Sequence, residues 1–98
     1  MARVEMAPEI ADDFDRLLSF QVQHGSVDAS GRIMEIIHAI DVLALNPLIG
    51  RAVAGGKREL TVGRKGHGYV VLYQYLVPVD AVLVLAVRSQ REAAYARP

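Results

Sequence analysis

The chain contains no cysteine. That excludes disulfide staples and thiolate metal sites, and it leaves packing or a bound partner to stabilise so small a fold. Long apolar runs are missing too. The longest, Ala81 to Val87, falls far short of the roughly 20 residues that cross a bilayer, so no membrane span is expected. The opening residues, MARVEMAPEI, hold no basic segment followed by an apolar stretch, so no secretory leader is expected and a cytoplasmic location is. The three histidines, His24, His38 and His67, share no paired ligand spacing, so no metal site is expected. No nucleophile elbow is present for a hydrolytic triad.

What is present is enough for one domain spanning residues 1–98. A chain of 98 residues cannot support two cores, and 52% hydrophobic residues exclude wholesale disorder. The net charge is zero but unevenly spread. Residues 1–49 hold three basic against eight acidic side chains, and residues 50–98 hold eight basic against three acidic. An anionic target or an acidic partner segment is therefore expected on the C-terminal half.

Periodicity sets the elements. Arg3 to Met6 alternates polar and apolar residues as a short strand does, and Pro8 ends it. Ile10, Phe14, Leu17 and Leu18 follow one helical face, with Glu9, Asp12, Asp13 and Asp15 near the positive end of that helix as a start signal. Neighbouring helical acids point in different directions, which argues against a metal or catalytic cluster. Gly25 is placed to stop the helix, and Ser26 or Asp28 to cap a second one. Ile33, Ile36, Ile37, Ile40, Leu43 and Ala44 repeat at three and four until Pro47 forces an end near Asn46; His38 lies off that stripe, as a surface residue. Leu48 to Lys57, with three glycines, reads as a flexible connection.

Strand patterns follow at Arg58–Val62, Tyr69–Leu76 and Ala81–Arg88. A glycine-rich turn, Gly63-Arg64-Lys65-Gly66-His67-Gly68, makes a hairpin of the first two, and Ser89 is placed to cap a short terminal helix. The fold class is α+β: a helical hairpin packed on an antiparallel sheet, in the order β-α-α-β-β-β, with a short C-terminal helix or tail. The glycine-rich turn is not a phosphate loop, because a strand follows it where a helix and a Gly-Lys-Ser/Thr ending are needed. Tyr69, Val71, Tyr73 and Tyr75 share one face of their strand. Such a row serves either as core packing or as a partner-binding face.

The stretch from Arg58 to Tyr73, followed by Val82-Leu83-Val84-Leu85-Ala86-Val87-Arg88-Ser89-Gln90-Arg91-Glu92-Ala93-Ala94-Tyr95, resembles the C-terminal half of RelE/ParE superfamily toxins. Asn46-Pro47-Leu48-Ile49-Gly50-Arg51 resembles their link into the sheet, so the likeness covers essentially the whole chain. It implies a toxin neutralised by an adjacently encoded ParD- or RelB-like antitoxin, with no cofactor. It also implies one of two mechanisms: ribosome-dependent cleavage of messenger RNA, or non-enzymatic poisoning of DNA gyrase. The cleaving members carry arginine where this chain has Val70, a second arginine where it has Ser89, and lysine where it has Leu60. Two lost cations, each worth a rate factor of about a hundred or more, would nearly silence phosphoryl transfer. A neutral chain is also a poor match for a phosphate-rich target.

The expectation is therefore a ParE-like gyrase inhibitor acting by protein contact. The alternatives are a RelE-like endoribonuclease using Arg58, Arg88, Arg91 and Tyr95 with the ribosome and its message, or a non-toxic module that only binds antitoxin. Arg58, Arg64, Lys65, Tyr73, Arg88, Arg91 and Tyr95 are the candidate target- or antitoxin-binding residues.

Overall fold

The computed structural model describes residues 1–25, 28–64 and 66–97. Ser26 and Lys65, singled out above as a cap and a contact residue, lie outside the described residues. Strand β1 (Arg3–Met6) leads into helix α1 (Ile10–Gln23) and helix α2 (Ala29–Val42). Strands β2 (Arg51–Val53), β3 (Lys57–Val62), β4 (Tyr69–Leu76) and β5 (Ala81–Ser89) follow. Two helices thus pack on one sheet, as the α+β reading expects. Gly25 takes φ +70° just past α1, a left-handed conformation that ends a helix at little cost when no Cβ is present.

The sheet order is β1-β5-β4-β3-β2. Three pairings are antiparallel, but β1 lies parallel to β5, from Arg3 opposite Ala81 to Met6 opposite Val84. The sheet is therefore mixed rather than wholly antiparallel. The cause is topological: the helical hairpin separates β1 from the meander, so no tight turn dictates its direction, and it docks on the last strand's outer edge. A second correction concerns the supposed flexible connection, which contains β2 and a tight turn at Ala54–Gly56. Gly50 is there for space. A Cβ at that position would come within 2.7 Å of the Tyr73 ring and 2.9 Å of the Glu59 carbonyl.

One face of the sheet meets the helices. Tyr69, Val71 and Tyr73 of β4, Val62 of β3, and Val82, Val84 and Val87 of β5 pack there with Ile10, Leu17, Ile36, Ile40 and Leu43. A register shift between Leu72 and Tyr73 makes Leu85 the extra residue on β5, so that Val84 and Val87 both face the core. The aromatic row is thus core packing. Tyr73 is fully buried and its hydroxyl accepts the Gly50 amide proton at 2.8 Å, so it has no surface to offer a partner. Of the two expected endings, helix or tail, the described residues form the tail. Ser89 to Glu92 makes a single turn, closed by the Glu92 amide on the Ser89 carbonyl at 3.1 Å, and the chain then continues as a tail.

Candidate functional site

Strand β5 is nine residues long and β1 only four, so beyond Val84 the outer edge of β5 has no strand beside it. An unpaired buried edge must find other partners. Three side chains supply them. The Asp13 carboxylate of α1 accepts the Val87 amide proton at 3.0 Å, Arg16 donates to the Val87 carbonyl at 3.1 Å, and Arg97 of the tail donates to the Leu85 carbonyl at 2.9 Å. Asp13 is 0% exposed. It also receives Arg16 at 2.9 Å and both Arg97 terminal nitrogens at 3.0 and 2.8 Å. Burial alone would push its carboxyl up, but the hydrogen bonds from Arg97, Arg16 and the Val87 amide prevail and hold it below the usual carboxylate range.

The same arginine organises the turn after β5. Arg16 reaches the Glu92 carboxylate at 3.1 and 3.3 Å, and that carboxylate accepts the Ser89 amide proton at 3.0 Å. Arg88 donates to the carbonyls of Ser89 at 3.1 Å and Glu92 at 2.9 Å, and its guanidinium lies 5.2 Å from the Tyr95 ring centre. Tyr95 in turn donates to Glu59 at 2.5 Å, while Arg51 grips the other oxygen of that carboxylate at 2.8 Å. Glu59 pairs in register with Leu72, and Val70 with Arg88. The tyrosine therefore bridges across β4 on the face away from the helices. Burial first, and then the bond to Glu59, raise the Tyr95 hydroxyl well above its ordinary value.

On the opposite face a cleft of about 970 Å³ opens between the helical hairpin, the Gly63–Gly68 turn and the Ser89–Glu92 turn. Leu17, Phe20 and Tyr69 line it together with Arg32, Arg64 and Arg91. Arg91 contacts the His67 ring nitrogen Nδ1 at 2.6 Å. Gln90 ties the two turns together by accepting the Gly66 and Gly68 amide protons at 2.8 and 3.0 Å.

The structure thus divides the residues expected to act together. Arg88 and Tyr95 stand on the helix-free face, and Arg64 and Arg91 at the cleft. Arg58, on β3, reaches back to the link before β2, donating to the carbonyls of Gly50 at 2.8 Å and Leu48 at 3.3 Å. Back-to-back placement follows from the two-residue period of a strand, which sends Arg88 and Ser89 to opposite faces.

The family model of the ParE toxin of type II toxin-antitoxin systems (parDE) matches residues 4–94. The chain belongs to the RelE/ParE superfamily of toxins. Toxin RelE3 of Caulobacter vibrioides is 32% identical over 92 residues, which covers 94% of this chain and 98% of that protein. The toxin is one component of a type II toxin-antitoxin pair, and the pair supplies its partner, a cognate antitoxin. Among the described residues no helix is long and apolar enough to cross a membrane.

In the toxin, the three positions where RNA-cleaving relatives are expected to carry cations have no charge to contribute. Val70 is buried at 6% exposure under the tail side of the sheet, Leu60 is half-buried against the core, and Ser89 uses its hydroxyl to accept the Arg91 amide proton at 3.1 Å. The residues that sequence reasoning missed are Asp13, Arg97, Glu59 and Glu92. One of them carried a signal. Asp13 falls three residues after Ile10 and four before Leu17, on the buried face of α1.

Proposed function

We propose that the toxin inhibits growth by contact with a protein target, DNA gyrase, and does not cleave RNA. The observation that carries this reading is the commitment of the side chains that cleavage would require. A general base must release and take up a proton near neutral pH. The Tyr95 hydroxyl is held protonated by burial and by the adjacent Glu59 carboxylate. A phosphorane needs cations aimed at its oxygens. Arg88 is directed at two backbone carbonyls and an aromatic ring, and Arg58 at two further carbonyls. These bonds build a rigid face. Arg88, Tyr95 and the strap of chain they hold across the sheet form a surface of guanidinium and aromatic ring, the groups enriched where proteins grip proteins.

The test sets purified toxin against gyrase supercoiling and, separately, against programmed ribosomes. The expected result is loss of supercoiling with the message intact. Cleavage of the message in the ribosomal A site with supercoiling unaffected would overturn the proposal in favour of the endoribonuclease, and a toxin inert in both assays would leave only the antitoxin-binding role.

A further inference from the structure

We infer that the end of the toxin where β4 turns into β5 is a self-association face, through which two copies of this chain pair about a two-fold axis. The inference goes beyond the target assignment and does not depend on it. Two connections share this end. The Ala2 amide donates to the Ala44 carbonyl at 2.7 Å and the Arg3 amide to the Asp80 carbonyl at 3.0 Å, so the end of α2 and the β4–β5 turn flank the start of β1. From there the link must reach β2 at the opposite edge of the sheet, and the bond between Gly50 and Tyr73 marks its path past the last residues of β4.

Both connections present aliphatic side chains to solvent. Leu45, Leu48 and Ile49 of the link, and Val77 and Val79 of the turn, are 54% to 71% exposed. Turns ordinarily carry Gly, Asn, Asp or Ser, which suit water and a tight backbone. These segments are also held in place. The Ile49 amide donates to the Asn46 carbonyl and the Asp80 amide to the Val77 carbonyl, each at 3.1 Å. The Leu48 carbonyl accepts Arg58 at 3.3 Å, and the Tyr75 hydroxyl donates to the Asp80 carboxylate at 2.6 Å. The five side chains leave on the order of 500 Å² of apolar surface bare, at the upper end of the patches a lone soluble domain shows. With the prolines and backbone between them, the face approaches the roughly 800 Å² that each partner gives to a standard interface.

Charge selects the occupant. Arg58 and Asp80 are engaged as described, and the Arg3 guanidinium pairs with Glu5 at 3.1 Å, so the face offers no cluster of free cations to a nucleic acid or an anionic lipid surface. The rim holds both signs, Asp41 one helical turn before Leu45 and Arg3 beside Asp80. An apolar centre with a rim of balanced charge does not repel its own image, which is what a two-fold contact between identical faces requires.

The test is sedimentation of the purified full-length toxin. Wild type is expected as a two-copy particle at about 100 µM that dissociates on dilution. Leu48→Asp with Val79→Asp should weaken self-association about 100-fold or more, because the two-fold axis buries each added carboxylate twice. A second measurement uses the absence of cysteine from the chain. A single Leu48→Cys or Val79→Cys, at sites more than half exposed, can form a disulfide only with another copy. Mild oxidation is expected to cross-link at least one of these two proteins into a covalent pair and to leave His38→Cys, on the exposed side of α2, single. A toxin that stays monomeric up to about 100 µM would overturn the proposal, whether the antitoxin then covers that end or nothing does. So would a pair that persists in the aspartate variant and cross-links through neither cysteine.

Discussion

Arg97 and Asp13, 84 positions apart in the chain, meet through a two-pronged contact of 3.0 and 2.8 Å that closes the tail against the first helix. Because Asp13 is fully buried and also holds Arg16 and the Val87 amide, it is the point where helix, sheet edge and tail are joined. Asp13→Ala leaves two guanidinium groups and one amide without their acceptor, and it is expected to lower unfolding stability by about 3 to 5 kcal/mol. Arg97→Ala, at a side chain 30% exposed, is expected to cost about 1 to 2 kcal/mol. The double variant should fall short of the sum, because both remove the same contact. Urea unfolding of the four proteins measures the cycle, and strict additivity would show that the contact contributes nothing.

The same carboxylate sets a pH dependence. Its folded-state pKa lies below the ordinary value, so the stability it contributes is fully present above about pH 4 and is lost as the pH falls through the folded value. Wild-type toxin should therefore lose stability on acidification below about pH 4 more steeply than Asp13→Asn, which has no proton to bind there. Denaturant midpoints taken from pH 6 downward give the comparison, and parallel curves would contradict it.

Gly50 and Tyr73 form a second junction, between the link and the core. Tyr73→Phe removes the acceptor of a buried amide proton and is expected to cost about 1 to 3 kcal/mol, although no carbon is lost. Gly50→Ala places a methyl group 2.7 Å from the Tyr73 ring and should cost a similar amount through overpacking. Thermal unfolding of each variant checks both values, and a Tyr73→Phe protein as stable as wild type would show that water reaches the amide.

Much of the fold was legible because one-dimensional patterns determine it. The alternation in Arg3–Met6, the helical stripes ending at Gly25 and Pro47, and the runs Tyr69–Leu76 and Ala81–Arg88 each fixed an element with little reference to the rest. The parallel pairing of β1 was not legible, since nothing local to Arg3–Met6 encodes a partner 78 positions away at Ala81. Nor was β2, whose three residues are too few to show a period. For the sites, charge counting singled out the basic half but could not assign faces. Arg88 and Arg91 are three residues apart, yet one lies on the helix-free side and the other at the cleft, because the strand ends at Ser89 and a turn intervenes. The acids that organise the site sit in the half of the chain read as a helix start, or singly among cations, where only contact in three dimensions distinguishes them.

Tyr95 separates the two mechanisms at the level of one oxygen atom. If the toxin acts by surface contact, Tyr95→Phe keeps the ring beneath Arg88 and removes only the bond to Glu59, which retains Arg51. Inhibition of supercoiling by that variant is then expected within about threefold of wild type, while Arg88→Ala, which strips both carbonyl contacts and the ring contact, should weaken inhibition about tenfold or more. If the hydroxyl instead moved a proton during RNA cleavage, the phenylalanine variant would lose a factor of about 100 or more in that reaction while remaining folded. Circular dichroism of Tyr95→Phe keeps the distinction clean, because the loss of an exchanged proton leaves the spectrum unchanged and the loss of the tail's anchor does not.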